Sequence, residues 1–235
     1  MTPGKRMLHL WARLRPAGFA QLTLFLGVIL LATPLRQERR IFWVLLQLMF
    51  LDALLVSLSV SDIRPRLRSA FFAVWAAGFG ANLGATLASR VESTQGWSLG
   101  TSSMAFILLA ACVIVVLAYI LRSPRVTLDV ILAAVTAYLL IALSFAALYS
   151  LVFHFDSQSF RLPEWIERGS VEAVQTEMVY FSLVTLATLG YGDILPSSPF
   201  TQMLAVLEAV IGQFFIAVLV AWLVGMFISY NLTGR

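Results

Sequence analysis

Long apolar runs alternate with short polar stretches along the whole chain. The runs have about the length, 20 residues, that a helix needs to cross roughly 30 Å of hydrocarbon. They lie near residues 17–35, 41–60, 69–89, 101–121, 126–153 and 200–229. The pattern therefore predicts an all-α membrane protein with six transmembrane helices. Because these runs take up most of the 235 residues, we expect no separate soluble domain.

A seventh apolar run, Glu177–Ala187, is too short to span a membrane. Its residues, about 11 in number, would extend roughly 16 Å as a helix. The run follows the longest polar segment, 154–175, which we expect to be an extracellular loop. A helix of this length can enter the membrane only partway before the chain returns to the same side. Non-helical backbone at that depth is tolerated where it lines water, so we predict a re-entrant helix between the fifth and sixth spans.

Composition and charge exclude several classes of protein. The sequence is 60% hydrophobic and 12% charged, which is too few charges to cover a soluble domain. The net charge of +4 comes from Lys and Arg at the ends of the runs, so it predicts contact with membrane lipids rather than with nucleic acid. Cys112 lies inside the fourth run, where we expect it to pack. With only His9 and His154 as histidines and no metal-ligand cluster, we expect neither an enzyme nor a cofactor.

The distribution of Lys and Arg predicts the orientation. With the N-terminus inside, ten lie in inner segments and six in outer ones. The inner set is Lys5, Arg6, Arg13, Arg15, Arg64, Arg66, Arg68, Arg122, Arg125 and Arg235, and the outer set is Arg36, Arg39, Arg40, Arg90, Arg161 and Arg168. Both termini are therefore expected in the cytoplasm of a bacterial cell, although the Arg36–Arg40 cluster argues the other way. Residues 1–16 predict a basic amphipathic helix or a frayed tail. A cleaved signal peptide over 1–33 is the competing interpretation, disfavoured by a poor cleavage site.

The stretch TLATLGYGD, Thr185–Asp193, places two glycines between apolar runs. A simple turn would satisfy that spacing, but glycine also allows a strand to turn bare carbonyls toward one axis. The stretch resembles the selectivity filter of tetrameric potassium channels, whose core is Thr-Val-Gly-Tyr-Gly-Asp, with Leu189 in place of Val. The resemblance covers residues 126–230. It includes a helix before the motif, Pro196 after it, and Gly212 twenty residues beyond Gly192.

The resemblance implies a role for each matching residue. Four chains would surround one axis, and the filter carbonyls would replace the water around potassium ions. The filter residues implied are Thr188, Leu189, Gly190, Tyr191 and Gly192. The residues implied in supporting it are Tyr180, Phe181, Val184 and Asp193. The hinge, cavity and gate residues implied are Gly212, Gln213, Ile216, Ala217, Val220 and Val224. The last five recur on one face of an α-helix.

Two details of the sequence depart from the commonest pattern. Tyr180 and Phe181 stand where many relatives have tryptophans, so we expect the Tyr180 hydroxyl to replace a tryptophan N–H as the partner of Asp193. Glu208 is an acid inside the sixth run, and a buried carboxylate is costly unless it is paired or protonated. We expect Glu208 to make structural bonds rather than to bind ions.

The chain divides into three predicted parts: a basic segment 1–16, a four-helix domain 17–122 and a pore domain 123–235. Ser123 and Pro124 predict the cap and the start of the fifth helix. The fourth run contains no Arg or Lys, so it offers no charged voltage sensor, and we expect weak voltage dependence. The function expected is passive potassium conduction through a homotetramer. The alternatives are a less selective monovalent cation channel of the same fold and a non-conducting membrane partner.

Overall fold

The computed structural model describes the C-terminal half of the chain. The residues described are 23, 27, 73, 80, 95–123, 125–164, 166, 171–219, 221–222, 224–226 and 228. Four helices lie in this part: α1 (Gln95–Arg122), α2 (Leu128–Phe155), α3 (Val171–Leu186) and α4 (Pro199–Phe214). Two short strands, β1 (Phe160–Arg161) and β2 (Leu195–Pro196), flank α3. The first three predicted spans and the basic segment 1–16 lie outside the described residues, apart from four isolated helical positions.

Three helices in the described part are long and apolar enough to cross a membrane. They are Ser102–Arg122, Leu128–Phe155 and Pro199–Met226. These three correspond to the predicted fourth, fifth and sixth runs, so the prediction of an all-α membrane protein is confirmed there.

The start of α2 differs from the prediction. The helix begins at Leu128, where the hydroxyl of Thr127 accepts the Val130 N–H, and not at Ser123 and Pro124. The Ser123 hydroxyl instead donates to the Tyr119 carbonyl at 2.8 Å, and therefore serves the end of α1. A Ser before a Pro predicts a helix start, but the same hydroxyl can bond back to the preceding turn.

The helix α3 also begins earlier than predicted. It has 16 residues, about 24 Å, and its first five residues come from the segment that we expected to be a loop. Polar residues hid this helix in the sequence. The Gln175 amide donates to the Ser102 hydroxyl of α1 at 3.1 Å, so a polar side chain of the first turns is used in packing. Glu177 is buried as well.

The core of the described part lies on both faces of α2. One apolar cluster, which includes Leu109, Val116 and Leu140, joins α1 to α2. An aromatic cluster joins α2 to α3, with Phe181 at 5.2 Å from Tyr149 between ring centroids. The first cluster consists mainly of apolar positions that the runs predict, whereas the aromatic cluster also takes in Phe160, Leu162, Ile166 and Val174 from the predicted loop. The helix α2 is the most buried of the three long helices.

A small antiparallel ribbon lies at the end of this unit where α2 ends and α4 begins. Strand β1 pairs with β2, with Phe160 opposite Pro196, and the Ser197 N–H donates to the Ser159 carbonyl at 2.8 Å. The helix α4 begins directly after the ribbon, with Ser198 and Thr201 forming a reciprocal capping box and a proline at the first turn. The ribbon and the cap therefore set where α4 starts relative to the segment between α3 and β2.

The last span is not a continuous α-helix. The helix α4 ends at Phe214 and is followed by a π-helical segment, Phe215–Leu219. The expectation of one α-helical face running from Gln213 to Val224 is wrong in this respect. Single π turns inside α-helices are recognised by their wider hydrogen bonding and occur frequently at functional positions.

Candidate functional site

The C-terminal end of α3 closes with a tight hydrogen-bonded turn. The Leu189 N–H donates to the Val184 carbonyl at 2.9 Å, and the Thr188 N–H donates to the Thr185 carbonyl at 2.9 Å. This pair of bonds is a Schellman motif, which requires a left-handed residue just after the helix. Thr188 is that residue, with φ of 56°. The turn starts the TLGYGD segment immediately at the helix end.

Thr188 is an unusual choice for a left-handed position. Glycine is the usual residue there because a side chain costs about 1–2 kcal/mol in this conformation, and Thr is β-branched as well. The sequence thus holds a residue that is locally unfavourable at a position where glycine is easily accommodated. Backbone strain of this kind is concentrated at functional sites, so the Thr188 side chain is a candidate for a functional role.

The sign of φ alternates along the segment. Thr188, Gly190 and Gly192 have φ of 56°, 58° and 78°, whereas Leu189 and Tyr191 stay at negative φ. Such alternation turns successive peptide groups to the same side, unlike a β-strand, in which they alternate. Residues 187–193 are all exposed in the single chain. The backbone between α3 and β2 therefore offers an uncovered row of peptide groups.

Helix α4 approaches the end of α3 very closely at Gly212. A Cβ atom placed on Gly212 would collide with the main-chain oxygen of Leu186 and would lie 3.0 Å from its Cδ1 atom. The same Leu186 oxygen accepts a hydrogen bond from the Tyr138 hydroxyl of α2 at 3.1 Å. The last carbonyl of α3 is thus held between α2 and α4, and the glycine is needed for close approach.

Gln213 lies next to Gly212 and reaches the start of the TLGYGD segment. Its side-chain amide donates to the Thr188 hydroxyl at 3.1 Å. The structure therefore brings together two residues that the sequence assigned to different parts of the site. Of the other predicted cavity residues, Ile216 and Ala217 are exposed on the π segment, Val224 is exposed beyond it, and Val220 lies outside the described residues.

The hydroxyl of Tyr180 donates to the Asp193 carboxylate at 2.7 Å, as expected from the sequence. This hydrogen bond raises the pKa of Tyr180 to about 12, so the phenol keeps its proton at neutral pH. The Ile194 N–H donates to the other oxygen of Asp193 at 3.0 Å. The bond between Tyr180 and Asp193 links the C-terminal end of the TLGYGD segment back to the middle of α3.

Phe181 and Val184, which lie near Tyr180 on α3, face the core of the described part of the chain. Phe181 is buried in an edge-on contact with Tyr149 and Phe160. Val184 is also buried, and it acts through its carbonyl, which accepts the Leu189 N–H. Tyr191, by contrast, is 66% exposed in the single chain.

Glu208 occupies the interface of α2, α3 and α4 and is fully buried. The Tyr149 hydroxyl donates to one of its carboxyl oxygens at 2.6 Å, and the Ser182 hydroxyl is hydrogen-bonded to the other. The prediction that Glu208 makes structural bonds is confirmed. These two partners could not be recognised in the sequence, because Tyr149 and Ser182 look like ordinary residues of apolar helices. No cluster of three or more His, Cys, Asp or Glu side chains occurs within the described ranges.

Comparison with known proteins identifies the segment that carries this site. Residues 128–229, which include α2 to α4 and the TLGYGD segment, match the family described as "Ion channel". A stretch of 64 residues is 36% identical to two-pore potassium channel 2 of Arabidopsis thaliana and, equally, to two-pore potassium channel 3 of the same plant. That stretch covers 26% of this chain but only 14% and 15% of the two plant proteins. No solved structure matches the chain significantly.

The family match and the two relatives agree with the resemblance seen in the TLATLGYGD motif. These similarities favour a channel over an enzyme. The family match covers α2, α3, α4 and the TLGYGD segment. Residues 128–229 are therefore similar to an ion channel domain, and part of the chain is similar to two plant potassium channels.

Proposed function

We propose that the chain is a subunit of a homotetrameric, potassium-selective channel in which Thr188 to Gly192 form the selectivity filter. The main support is the TLGYGD segment itself, whose φ values alternate in sign and whose peptide groups are uncovered. Four such segments around one axis would offer rings of carbonyl oxygens, with the Thr188 hydroxyl as the innermost ring. Rings of this kind replace the hydration shell of a dehydrated cation.

The helix α3 supports this assignment by its length and its direction. At about 24 Å it is shorter than the hydrocarbon core of roughly 30 Å, so we propose that it enters the membrane and that the chain returns through the filter. Its C-terminal end would then point to the middle of the membrane. The partial negative charge at a helix C-terminus favours a cation there.

The exposed face of α4 supports assembly of several copies. Large apolar side chains are exposed along this helix, among them Phe200, Met203, Val206, Val210 and Phe214. Some would face lipid, but the uncovered backbone of residues 187–193 cannot, because unsatisfied polar groups are not tolerated in hydrocarbon. Each chain supplies one filter segment, and a closed ring of four chains would cover it with water, ions and neighbouring copies.

Below the filter we propose a cavity and a gate on the last span. Gln213 would contribute a polar ring under Thr188. Ile216, Ala217, Val220 and Val224 would line the passage toward the cytoplasm when the last span is α-helical throughout, and the π-helical turn of Phe215–Leu219 would turn the two valines away from it. We assign to Gly212 the role of hinge as well as that of close contact. The proposal also includes a six-span topology with the parts 1–16, 17–122 and 123–235. Both termini would lie in the cytoplasm, the location would be the bacterial plasma membrane, and voltage dependence would be weak.

The test is ion flux through purified protein in liposomes. We expect uptake of potassium or rubidium down a gradient and a reversal potential that follows the potassium gradient in mixed potassium and sodium. Native mass spectrometry should show four copies. Gly190→Ala, at φ of 58°, should abolish flux because alanine is strained there, whereas Gly100→Ala, within helix α1, should not.

Each alternative predicts a different result of the same experiment. Equal permeation by sodium and potassium would replace potassium selectivity with a less selective cation channel. A well-formed tetramer without any flux would favour a non-conducting membrane partner. A stable monomer in lipid would contradict the assembly on which the filter depends.

A further inference from the structure

Glu208 joins three helices through two hydroxyl groups. It lies on α4, Tyr149 on α2 and Ser182 on α3, and all three side chains are completely buried. The Tyr149 hydroxyl donates to Oε2 of Glu208 at 2.6 Å, and Ser182 is hydrogen-bonded to Oε1. These are the contacts of the Glu208 carboxyl in the described part of the chain, and no cation is among them there.

The protons around Ser182 decide the charge of Glu208. The Ser182 oxygen lies within hydrogen-bonding distance of two oxygens, the Glu208 carboxyl and the Ala142 carbonyl of α2, the latter at 2.6 Å. A hydroxyl has one proton and can fill one of these contacts. The main-chain carbonyl has no proton to give, so the proton of the other contact must come from the carboxyl. Ser182 then donates to Ala142 and accepts from a protonated Glu208.

Burial leads to the same protonation state. A carboxylate without a cation partner is strongly disfavoured in the interior, above all at membrane depth, and it neutralises instead. With Glu208 protonated, every polar side-chain atom in the series of hydrogen bonds that runs from Tyr149 through Glu208 and Ser182 to the Ala142 carbonyl has a partner. With Glu208 ionised, one short oxygen–oxygen contact would have no proton in it.

We infer that Glu208 is a neutral carboxylic acid that positions α3, and with it the filter, by joining Ser182 to Tyr149. Ser182 precedes Val184 and Thr185, whose carbonyls hold the turn into the filter. A bond at Ser182 therefore fixes the depth and the rotation of the filter end of α3. This role rests on the proposed function, since it concerns the geometry of the same filter.

The inference separates two substitutions of the same residue. In Glu208→Gln the amide oxygen can accept from Tyr149 and the amide N–H can donate to Ser182, which is the pattern of the neutral acid. Glu208→Leu keeps the bulk but removes both bonds. A charged Glu208 that acted by attracting cations would make the two variants equally defective.

Infrared difference spectroscopy of the reconstituted protein tests the protonation directly. We expect the carbonyl stretch of a protonated carboxylic acid at neutral pH, present in the wild type and missing from Glu208→Gln. Tyr149→Phe should shift this band, because it removes the bond to Oε2. If the wild type shows no such band, the inference is overturned, whatever the channel conducts.

Potassium flux tests the positioning. Glu208→Gln should conduct within about twofold of the wild type, whereas Glu208→Leu and Ser182→Ala should each lose at least about tenfold, since each leaves a buried polar group unpaired. The matched controls are Ser144→Ala and Ser150→Ala, whose buried hydroxyls donate to carbonyls of their own helix at 2.8 and 2.9 Å. Those two should conduct normally.

The outcomes separate the inference from the function on which it rests. If the wild type forms tetramers that pass no ions, the proposed function fails, while the infrared band still decides the protonation of Glu208. If Glu208→Gln is as defective as Glu208→Leu, the positioning role is wrong. If Glu208→Leu does not assemble, Ser182→Ala against Ser144→Ala gives the same comparison.

Discussion

Replacement of Gly212 by alanine tests whether this glycine serves packing or bending. The added Cβ would collide with the main-chain oxygen of Leu186, which cannot rotate away, and would stand 3.2 Å from its carbonyl carbon. The side chain of Leu186 can adjust, but the main chain at the end of α3 is fixed by its bond to Tyr138. We therefore expect α4 to move away from α3.

The size of the effect follows from two opposing terms. Alanine is favoured over glycine inside a helix by about 1 kcal/mol. Overpacking costs about 1–3 kcal/mol, and the upper part of that range is appropriate because the clash involves main-chain atoms. The net expectation is a destabilisation of roughly 1–2 kcal/mol per subunit. A shift of roughly 0.5 Å would also break the Gln213–Thr188 hydrogen bond, which is 3.1 Å long.

Thermal stability of the purified oligomer, measured beside potassium flux, separates the two roles. A packing glycine predicts that Gly212→Ala lowers both the melting temperature and the flux. A glycine needed only for bending predicts lower flux with equal or higher stability, because alanine stiffens the helix. The control is Gly100→Ala, where an added Cβ meets nothing within 4 Å among the described residues.

Equal behaviour of Gly212→Ala and Gly100→Ala would refute the packing argument. A rise in melting temperature for Gly212→Ala, with flux lost, would favour bending and show that α4 does not need its close contact with Leu186.

Substitutions at three further positions test the contacts around the proposed filter. Tyr180→Phe removes the donor to Asp193, so we expect current that decays faster under sustained conduction. The raised pKa of Tyr180, about 12, means that in the wild type this bond is complete below about pH 10 and is lost only as the pH rises through 12. Gln213→Leu should lower single-channel conductance by removing the donor to Thr188, and Gln202→Leu, on the outer part of the same helix, is the control. Thr188→Ser should conduct and Thr188→Val should not, because only serine keeps the hydroxyl; equal conduction by both would contradict a role for that oxygen.

Features that depend on neighbouring residues could be predicted from the sequence. The fifth run, 126–153, lies within two residues of α2, Leu128–Phe155, because a long apolar stretch has few alternatives to a helix. The bond between Tyr180 and Asp193 could be foreseen only through the resemblance to potassium channels, in which many relatives have a tryptophan as the donor at this position.

Features that depend on distant residues could not be predicted. Glu208 stands 59 residues from Tyr149 and 26 from Ser182, so its partners become visible only when three helices pack together. The left-handed Thr188 was hidden for another reason, since β-branched residues are the last that propensity would assign to such a position. The early start of α3 could not be predicted because its first turns carry polar side chains such as Gln175, which bonds to α1.

The π-helical segment Phe215–Leu219 changes which residues of the last span lie on the same helix face as Gln213. A π turn holds one residue more than an α turn, which rotates everything after it by about 100°. The residues that continue the helix face of Gln213 therefore shift by one position along the chain. Ala217 or Val218 replaces Ile216 or Ala217, Ala221 replaces Val220, and Gly225 replaces Val224. The inner mouth of the conduit would consequently be bordered by small side chains, and a return of this turn to α geometry would bring valines round in their place.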